Sequence, residues 1–264
     1  MIVHFSKYHG TGNDFIMIDG RDQDTSQFNT NLIHRLCDRR FGIGGDGLII
    51  LANGDQADLK MHYYNADGNE GTMCGNGGRC FTAFANQLEL SGAKTQFEGI
   101  DGLHMSTLLP NGHIRLKLKD VYDIKEMNDG YLLDTGSPHF VKFVTRLDQL
   151  DVTGEGQEVR HQQRFGEGGV NVNFVEQGTS PDQIYVRTFE RGVEAETYSC
   201  GTGVSAAAIC SYHHHKSDIS TYHIHTKGGK LKVSFMPLEN GHFTEVYLTG
   251  PATKVYEGSI EIDR

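Results

Sequence analysis

The sequence predicts an α+β protein of two pseudo-symmetric domains, each a mostly antiparallel sheet wrapped around a central helix. Three observations carry that prediction. Cys-Gly-x-Gly opens a run of small helix formers twice, in "GTMCGNGGRCFTAFA" (Gly71 to Ala85) and "ETYSCGTGVSAAA" (Glu196 to Ala208). The interiors Phe81 to Ala85 and Val204 to Ile209 are nearly apolar all round, as a helix enclosed by sheet must be. The rest of the chain is dominated by short alternating segments with Gly, Asn, Asp and Pro punctuation, the pattern of strands and hairpins.

In chain order, "MIVHFSKYHGTGNDFIMIDGR" reads as strand, glycine turn, strand. A helix over about Asn31 to Arg40, a glycine-rich loop and the strand "LIIL" follow. "ADLKMHYYNADGNE" alternates as a strand and ends in a turn. The first cysteine helix then spans about Gly75 to Leu90, before the short strands of "TQFEGIDGLHMSTLLPNGHIRLKL". The second half repeats the scheme: "GSPHFVKFV", "GGVNVNFVE" and "QIYVRTFERG" are strands, and the second cysteine helix spans about Gly201 to Tyr212. Further hairpins close the chain. The halves meet near Lys119, giving domains of residues 1–118 and 119–249.

Composition bounds the function. A chain of 264 residues buries enough surface to need no disulfide staples. A net charge of -10 argues against nucleic acid or an anionic membrane as partner. No apolar run approaches the ~20 residues of a membrane span, and no export signal is visible in "MIVHFSKYHG". Five cysteines, an odd number, are read as free thiols in a reducing cytoplasm.

Two motifs are set aside. "GIGGDG" (Gly42 to Gly47) matches a dinucleotide fingerprint, but a helix precedes it and a strand follows, the reverse of the required order; it is a turn. "HHHK" (His213 to Lys216) cannot converge on one ion from adjacent helical positions, and makes a cationic helix end instead. The cysteine spacings match no zinc site, so no metal is expected. Cys37, Cys80 and Cys210 fall within helical patterns as small buried residues.

Cys74 and Cys200 differ from these. Each stands just before a helix entry, where backbone N–H groups lacking intrahelical partners and the positive end of the macrodipole stabilise a thiolate. The same donors hold a carboxylate or an enolate-like oxygen, and glycines let the backbone approach it. Two symmetric thiols suit inversion of a stereocentre. One, as thiolate, removes a proton from one face while the other, as thiol, delivers a proton to the opposite face.

These blocks resemble the diaminopimelate epimerase family. "GTGNDF", "YYNADGNE", "MCGNGGRC", "GSPHF", "VNVNF", "ERGVEAET", "SCGTG" and "GPATKVYEG" stand in the family's order, from His9 to Gly258. The resemblance implies two pseudo-symmetric domains, with the last strand, within 250–264, returning to the first. It implies a cytoplasmic isomerase that interconverts LL- and meso-diaminopimelate for lysine and cell-wall synthesis. No pyridoxal phosphate or metal is implied, and a homodimer is an expectation at family level only.

By motif, Cys74 and Cys200 are the acid/base pair, and Gly75, Asn76, Gly201 and Thr202 hold the carboxylate of the reacting centre. Asn13, Asn65, Asn171 and Arg191 bind the far amino-acid end, Glu190 accepts from the reacting ammonium, and His139 orients or polarises the thiols. The chain departs from many relatives at Ser137, where an asparagine normally contacts substrate. The roles of Asp46 and Gly47 are left open, and Glu194 adds a carboxylate near the second motif. Proline and hydroxyproline racemases of the same architecture are the alternative, disfavoured by the full set Asn13, Asn65, Asn171 and Arg191. An isomerase resembling phenazine-biosynthesis proteins lacks the thiol pair. A non-catalytic amino-acid-binding module has no need of two thiols.

Overall fold

A computed structural model describes residues 1–262. The elements in chain order are β1 (Ile2–Gly10), β2 (Asn13–Asp19), α1 (Thr30–Cys37), β3 (Gly47–Asn53), β4 (Leu59–Asn65), α2 (Gly75–Gln87), β5 (Lys94–Gly99), β6 (Gly102–Leu108) and β7 (Ile114–Lys117). The chain continues with β8 (Ile124–Met127), β9 (Gly130–Asp134), β10 (Pro138–Phe143), α3 (Val152–Arg160), β11 (Asn171–Gln177) and β12 (Gln183–Glu190). It ends with β13 (Ala195–Thr197), α4 (Gly201–His215), β14 (Thr221–Thr226), β15 (Gly229–Pro237), β16 (Phe243–Gly250) and β17 (Thr253–Glu261).

The contacts divide this chain into two units, Met1–Leu116 with the segment from Pro251 onward, and Lys117–Gly250. In the first, strands pair in the order β17-β1-β2-β3-β4-β5-β6-β7. Five of these pairings are antiparallel; β2–β3 and β4–β5 are parallel. The second unit repeats that pattern, sense for sense, in β8-β9-β10-β11-β12-β14-β15-β16, with β13 added on β12. Each unit is thus one mixed, mostly antiparallel sheet, and the α+β reading holds. The first strand of one repeat comes from the far end of the chain.

Each sheet curls around one helix. α2 packs against the neighbouring strands β1, β2 and β3 and also against β6, three places further along the pairing order. α4 packs against β9, β10, β11, β12, β14, β15 and β16. Enclosure explains the composition: from Gly75 to Ala85 α2 is buried except at Ala83, and α4 is buried from Gly203 to Ser211. Small residues let the strands close in without voids.

A second helix covers the outer face of each sheet at the parallel crossover. α1 joins β2 to β3 and seats Ile33 and Leu36 on Ile16, Ile18, Leu48 and Ile50. α3 joins β10 to β11 and seats Val152 and Val159 on Phe140, Val172, Phe174 and Phe189. Strand residues alternate between faces, so Phe15 and Ile49 turn toward Gly77 of α2 instead. In the second unit the alternate positions on β10 and β11 are His139 and Asn173, and Asn173 reaches Gly203 of α4. That alternation brings polar side chains to the mouth of the central helix.

Helix ends differ from the sequence expectation for local reasons. α1 stops at Cys37 because the Asp38 carboxylate accepts from the N–H groups of Arg40 and Phe41, both at 2.7 Å, and turns the chain. α2 ends at Gln87, and α4 runs on through the three histidines to His215. α3, with Gly154 and Gly156 in its short span, carries no clear helical period; the Asp151 side chain caps it on Gly154 N–H at 3.0 Å.

Candidate active site: two cysteine-capped helix mouths

Cys74 is the N-cap of α2, in extended backbone conformation, and its Sγ accepts from Gly77 N–H at 3.5 Å. A Cβ on Gly77 would meet Ile49 Cδ1 at 3.1 Å, so this close first turn favours glycine. Asn13, opening β2, faces the sulfur: its Oδ1 lies 3.6 Å from Cys74 Sγ and accepts from Asn76 Nδ2 at 3.1 Å. Its Nδ2 donates to Asp46 Oδ2 at 2.8 Å, and a carboxylate there fixes which way the amide points. Asp46, left open by sequence, is therefore the anchor of Asn13.

Behind Asp46 the charges alternate. Arg39 bridges Asp46 (2.7 Å) and Asp14 (2.6 Å), and Lys7 pairs with Asp14 at 2.7 Å and donates to Gly44 O. Burial pushes the Asp14 carboxyl up, but hydrogen bonds from Arg39 and Lys7 outweigh it and hold the group well below the usual carboxylate range. Asn65, at the exposed end of β4, accepts from Tyr63 Oη at 2.8 Å and closes a turn to Gly68 N–H at 2.9 Å.

The second mouth is built differently. Cys200 caps α4, 8% exposed, with Thr202 Oγ1 3.6 Å from its Sγ. Thr202 Oγ1 in turn lies 2.9 Å from His139 Nε2, which also meets Ser137 Oγ at 3.0 Å. The far ring nitrogen, Nδ1, meets Asn173 Nδ2 at 3.1 Å. The same Nδ2 donates to Phe140 O (3.2 Å), while Asn173 Oδ1 accepts from Thr188 Oγ1 (3.0 Å), so this amide cannot flip without loss. Nδ1 is thus an acceptor and the single ring proton sits on Nε2. Full burial, aided by the Arg191 charge, pushes the imidazole down to about 3, so His139 is neutral. A chain of hydrogen bonds runs from Thr188 through Asn173, His139 and Thr202 to the Cys200 sulfur.

The remaining predicted residues of this unit gather around the same mouth. Asn171 Oδ1 accepts from Arg191 N–H at 2.9 Å and its Nδ2 donates to Ser137 Oγ at 3.1 Å. Ser137 therefore links Asn171 to His139, which accounts for a hydroxyl at this position. Glu190 accepts from Thr197 Oγ1, and Arg191 is exposed. Glu194 pairs with Arg160 at 2.7 Å rather than facing the mouth. Cys37, Cys80 and Cys210 are buried; burial raises all three thiols, the first two to about 12, so they stay protonated.

Sequence reasoning left the role of Asp46 open and missed Asn173, Thr188 and Arg79. Asn173 had a signal: it lies two residues from Asn171 and so shares its face of the strand. Arg79 had one as well, the lone charge in an otherwise small and apolar helix. Thr188 had none, since only the register that sets it opposite Asn173 reveals it.

The diaminopimelate epimerase family model matches residues 5–127 and 131–255. The chain is 52% identical over 254 residues to the diaminopimelate epimerase of Flavobacterium psychrophilum, covering 96% of this chain and 98% of that one. It is 42% identical over 261 residues to that of Chlorobaculum tepidum, covering 96% and 99%. Among solved structures, a Bacillus anthracis phenazine biosynthesis protein of the PhzF family superposes with TM-score 0.80 at 13% identity, covering 99% of this chain and 100% of that one. A probable proline racemase from Agrobacterium radiobacter K84 superposes with TM-score 0.72 at 14% identity, covering 99% and 93%. Those two share the fold alone. With matches across nearly its whole length, the chain belongs to the diaminopimelate epimerase family.

Proposed function

We propose that this chain interconverts LL- and meso-diaminopimelate by two-base proton transfer at one α carbon. The observation that carries the reading is the repeated one: each of two equivalent units places a cysteine at the N-cap of its enclosed helix. One cysteine, as thiolate, removes the α proton, and the other, as thiol, supplies a proton to the opposite face. For the reverse reaction the two exchange roles.

The α proton is weakly acidic, so the developing enolate-like charge on the carboxylate must be held. The N-terminal turns of α2 and α4, through Gly75, Asn76, Gly201 and Thr202, supply backbone donors and positive dipole ends for it. Glu190 receives the reacting ammonium. Asn13, Asn65, Asn171 and Arg191 recognise the distal amino-acid end, with Arg191 offering a planar fork to its carboxylate. His139 is a positioning residue that fixes the Thr202 hydroxyl beside Cys200. A reducing, cytoplasmic setting keeps both thiols competent. Among the described residues no helix is long and apolar enough to cross a membrane.

The substrate is tested directly. Purified protein under reducing conditions, given LL-diaminopimelate, is expected to form the meso isomer, read by chiral chromatography, and to leave L-proline and trans-4-hydroxy-L-proline unchanged. Racemisation of proline with diaminopimelate untouched would replace this reading by the alternative.

A further inference from the structure

Arg79 is fully buried in the second turn of α2. It donates to four neutral acceptors: Gly75 O (3.1 Å), Asn76 Oδ1 (3.0 Å), Thr11 Oγ1 (3.3 Å) and Pro251 O (3.3 Å). Among the described residues no carboxylate pairs with it. Burial lowers the guanidinium to about 10, the nearby thiols of Cys80 and Cys74 acting against that, so it remains charged at neutral pH. A buried, unneutralised cation is costly and calls for a reason.

Comparison of the repeats supplies one. Arg79 follows Cys74 by five residues, and Ser205 follows Cys200 by five. Both donate to the carbonyl of the first helical residue, Ser205 Oγ to Gly201 O at 3.0 Å and Arg79 Nη1 to Gly75 O. The packing task at this position needs only a hydroxyl. What Arg79 adds is a charge and further donors, of which Nη2 donates to Asn76 Oδ1, and Asn76 Nδ2 in turn donates to the Asn13 Oδ1 that lies against Cys74 Sγ.

Other charges do not duplicate it. On the elements packed against α2, Lys7 of β1 and Asp14 of β2 pair with each other and balance with Arg39 and Asp46. Asp19 of β2 pairs with Arg21, and His104 of β6 pairs with Asp101. Tyr8 and Cys80 are raised by burial to about 12 and stay neutral. His9 of β1 accepts from Gly12 N–H, and β3 carries no ionisable side chain. At the other mouth, Cys200 has neutral His139, with Glu190 and the exposed Arg191 of opposite sign, and Arg187 paired to Glu196.

We propose that Arg79 is a positioning residue of the Cys74 half-site: it holds Asn76 on Asn13, and its buried charge, outweighing the pull of the Asn13 carbonyl oxygen on the Cys74 proton, makes Cys74 the first of the two cap thiols to ionise. The inference rests on the epimerase reading but is tested without turnover. A thiolate displaces iodide from iodoacetamide, forming a thioether, so the pH dependence of alkylation reports ionisation after its proton has left to water.

Full-length C200A and C74A proteins are alkylated across pH and read by peptide mass mapping. The midpoint for Cys74 is expected below that for Cys200. Adding R79Q to C200A should raise the Cys74 midpoint by about one pH unit, slowing alkylation at neutral pH about tenfold. R79K should restore most of the difference, and R79Q in C74A should leave Cys200 unmoved. An unmoved Cys74 midpoint in a normally melting R79Q protein, or an equal shift at Cys200, overturns the proposal. Should R79Q fail to fold, the order of the two midpoints decides, and Cys200 ionising first is the contrary result.

Discussion

Alanine in place of either Cys74 or Cys200 is expected to lower kcat by about three orders of magnitude, the scale of a lost general acid or base. The melting temperature should shift little. The size follows from the proposed two-base mechanism: if each face of the carbon is served by one cysteine, removing either stops both directions. The small structural effect follows from position. Both residues sit at the N-cap rather than inside the helix; Cys74 Sγ receives a long 3.5 Å contact from Gly77, and Cys200 makes no side-chain cap hydrogen bond, its sulfur lying 3.6 Å from the Thr202 hydroxyl. Steady-state kinetics in both directions, with circular-dichroism melts, checks this. Either alanine protein keeping more than a tenth of the parent kcat would contradict it.

Acid should destabilise the protein through His139. Its imidazole, near 6.5 when unfolded, is pushed down to about 3 by burial and the Arg191 charge. Between those limits the unfolded chain binds a proton that the folded one refuses, so stability rises with pH there and falls as pH drops below 6.5. The slope attributable to this one group is about 1.4 kcal/mol per pH unit, or roughly 3 kcal/mol lost by pH 4.5. His139→Gln removes the titration while keeping a polar side chain beside Thr202. Urea denaturation from pH 4.5 to 7 should therefore show a shallower pH dependence for the variant than for the parent. Parallel curves would mean that His139 accepts its proton in the fold after all.

The central helices were legible because enclosure leaves a sequence mark: small and apolar residues dominate every side of a helix wrapped by sheet, with Arg79 and Asn76 the larger polar exceptions among the buried residues of α2. Cys74 and Cys200 were legible as the N-caps of those helices because the mark repeats. Hairpins such as β1–β2 showed in their alternation and in Thr11-Gly12, where both residues take positive φ, 51° and 88°, as a tight two-residue turn requires. α3 was invisible, since its stability comes from docking Val152 and Val159 on the sheet and not from local propensity. Hidden too was the wiring behind the sulfurs. Asp46 reaches Asn13 across 33 residues and Thr202 reaches His139 across 63, links that exist only once strands are in register. Ser137 illustrates the difference: by motif it looked like a weakened substrate contact, and in place it ties Asn171 to His139.

Solvent deuterium tests the two-base claim most directly. In deuterated water, at early conversion of LL-diaminopimelate, the meso product should carry one deuterium at the inverted carbon while recovered substrate carries none. On the two-base reading the incoming hydron comes from a thiol already equilibrated with solvent, and the outgoing proton stays on the other sulfur. Product that keeps its original hydrogen, or substrate labelled as fast as product, would mean that a single group serves both faces.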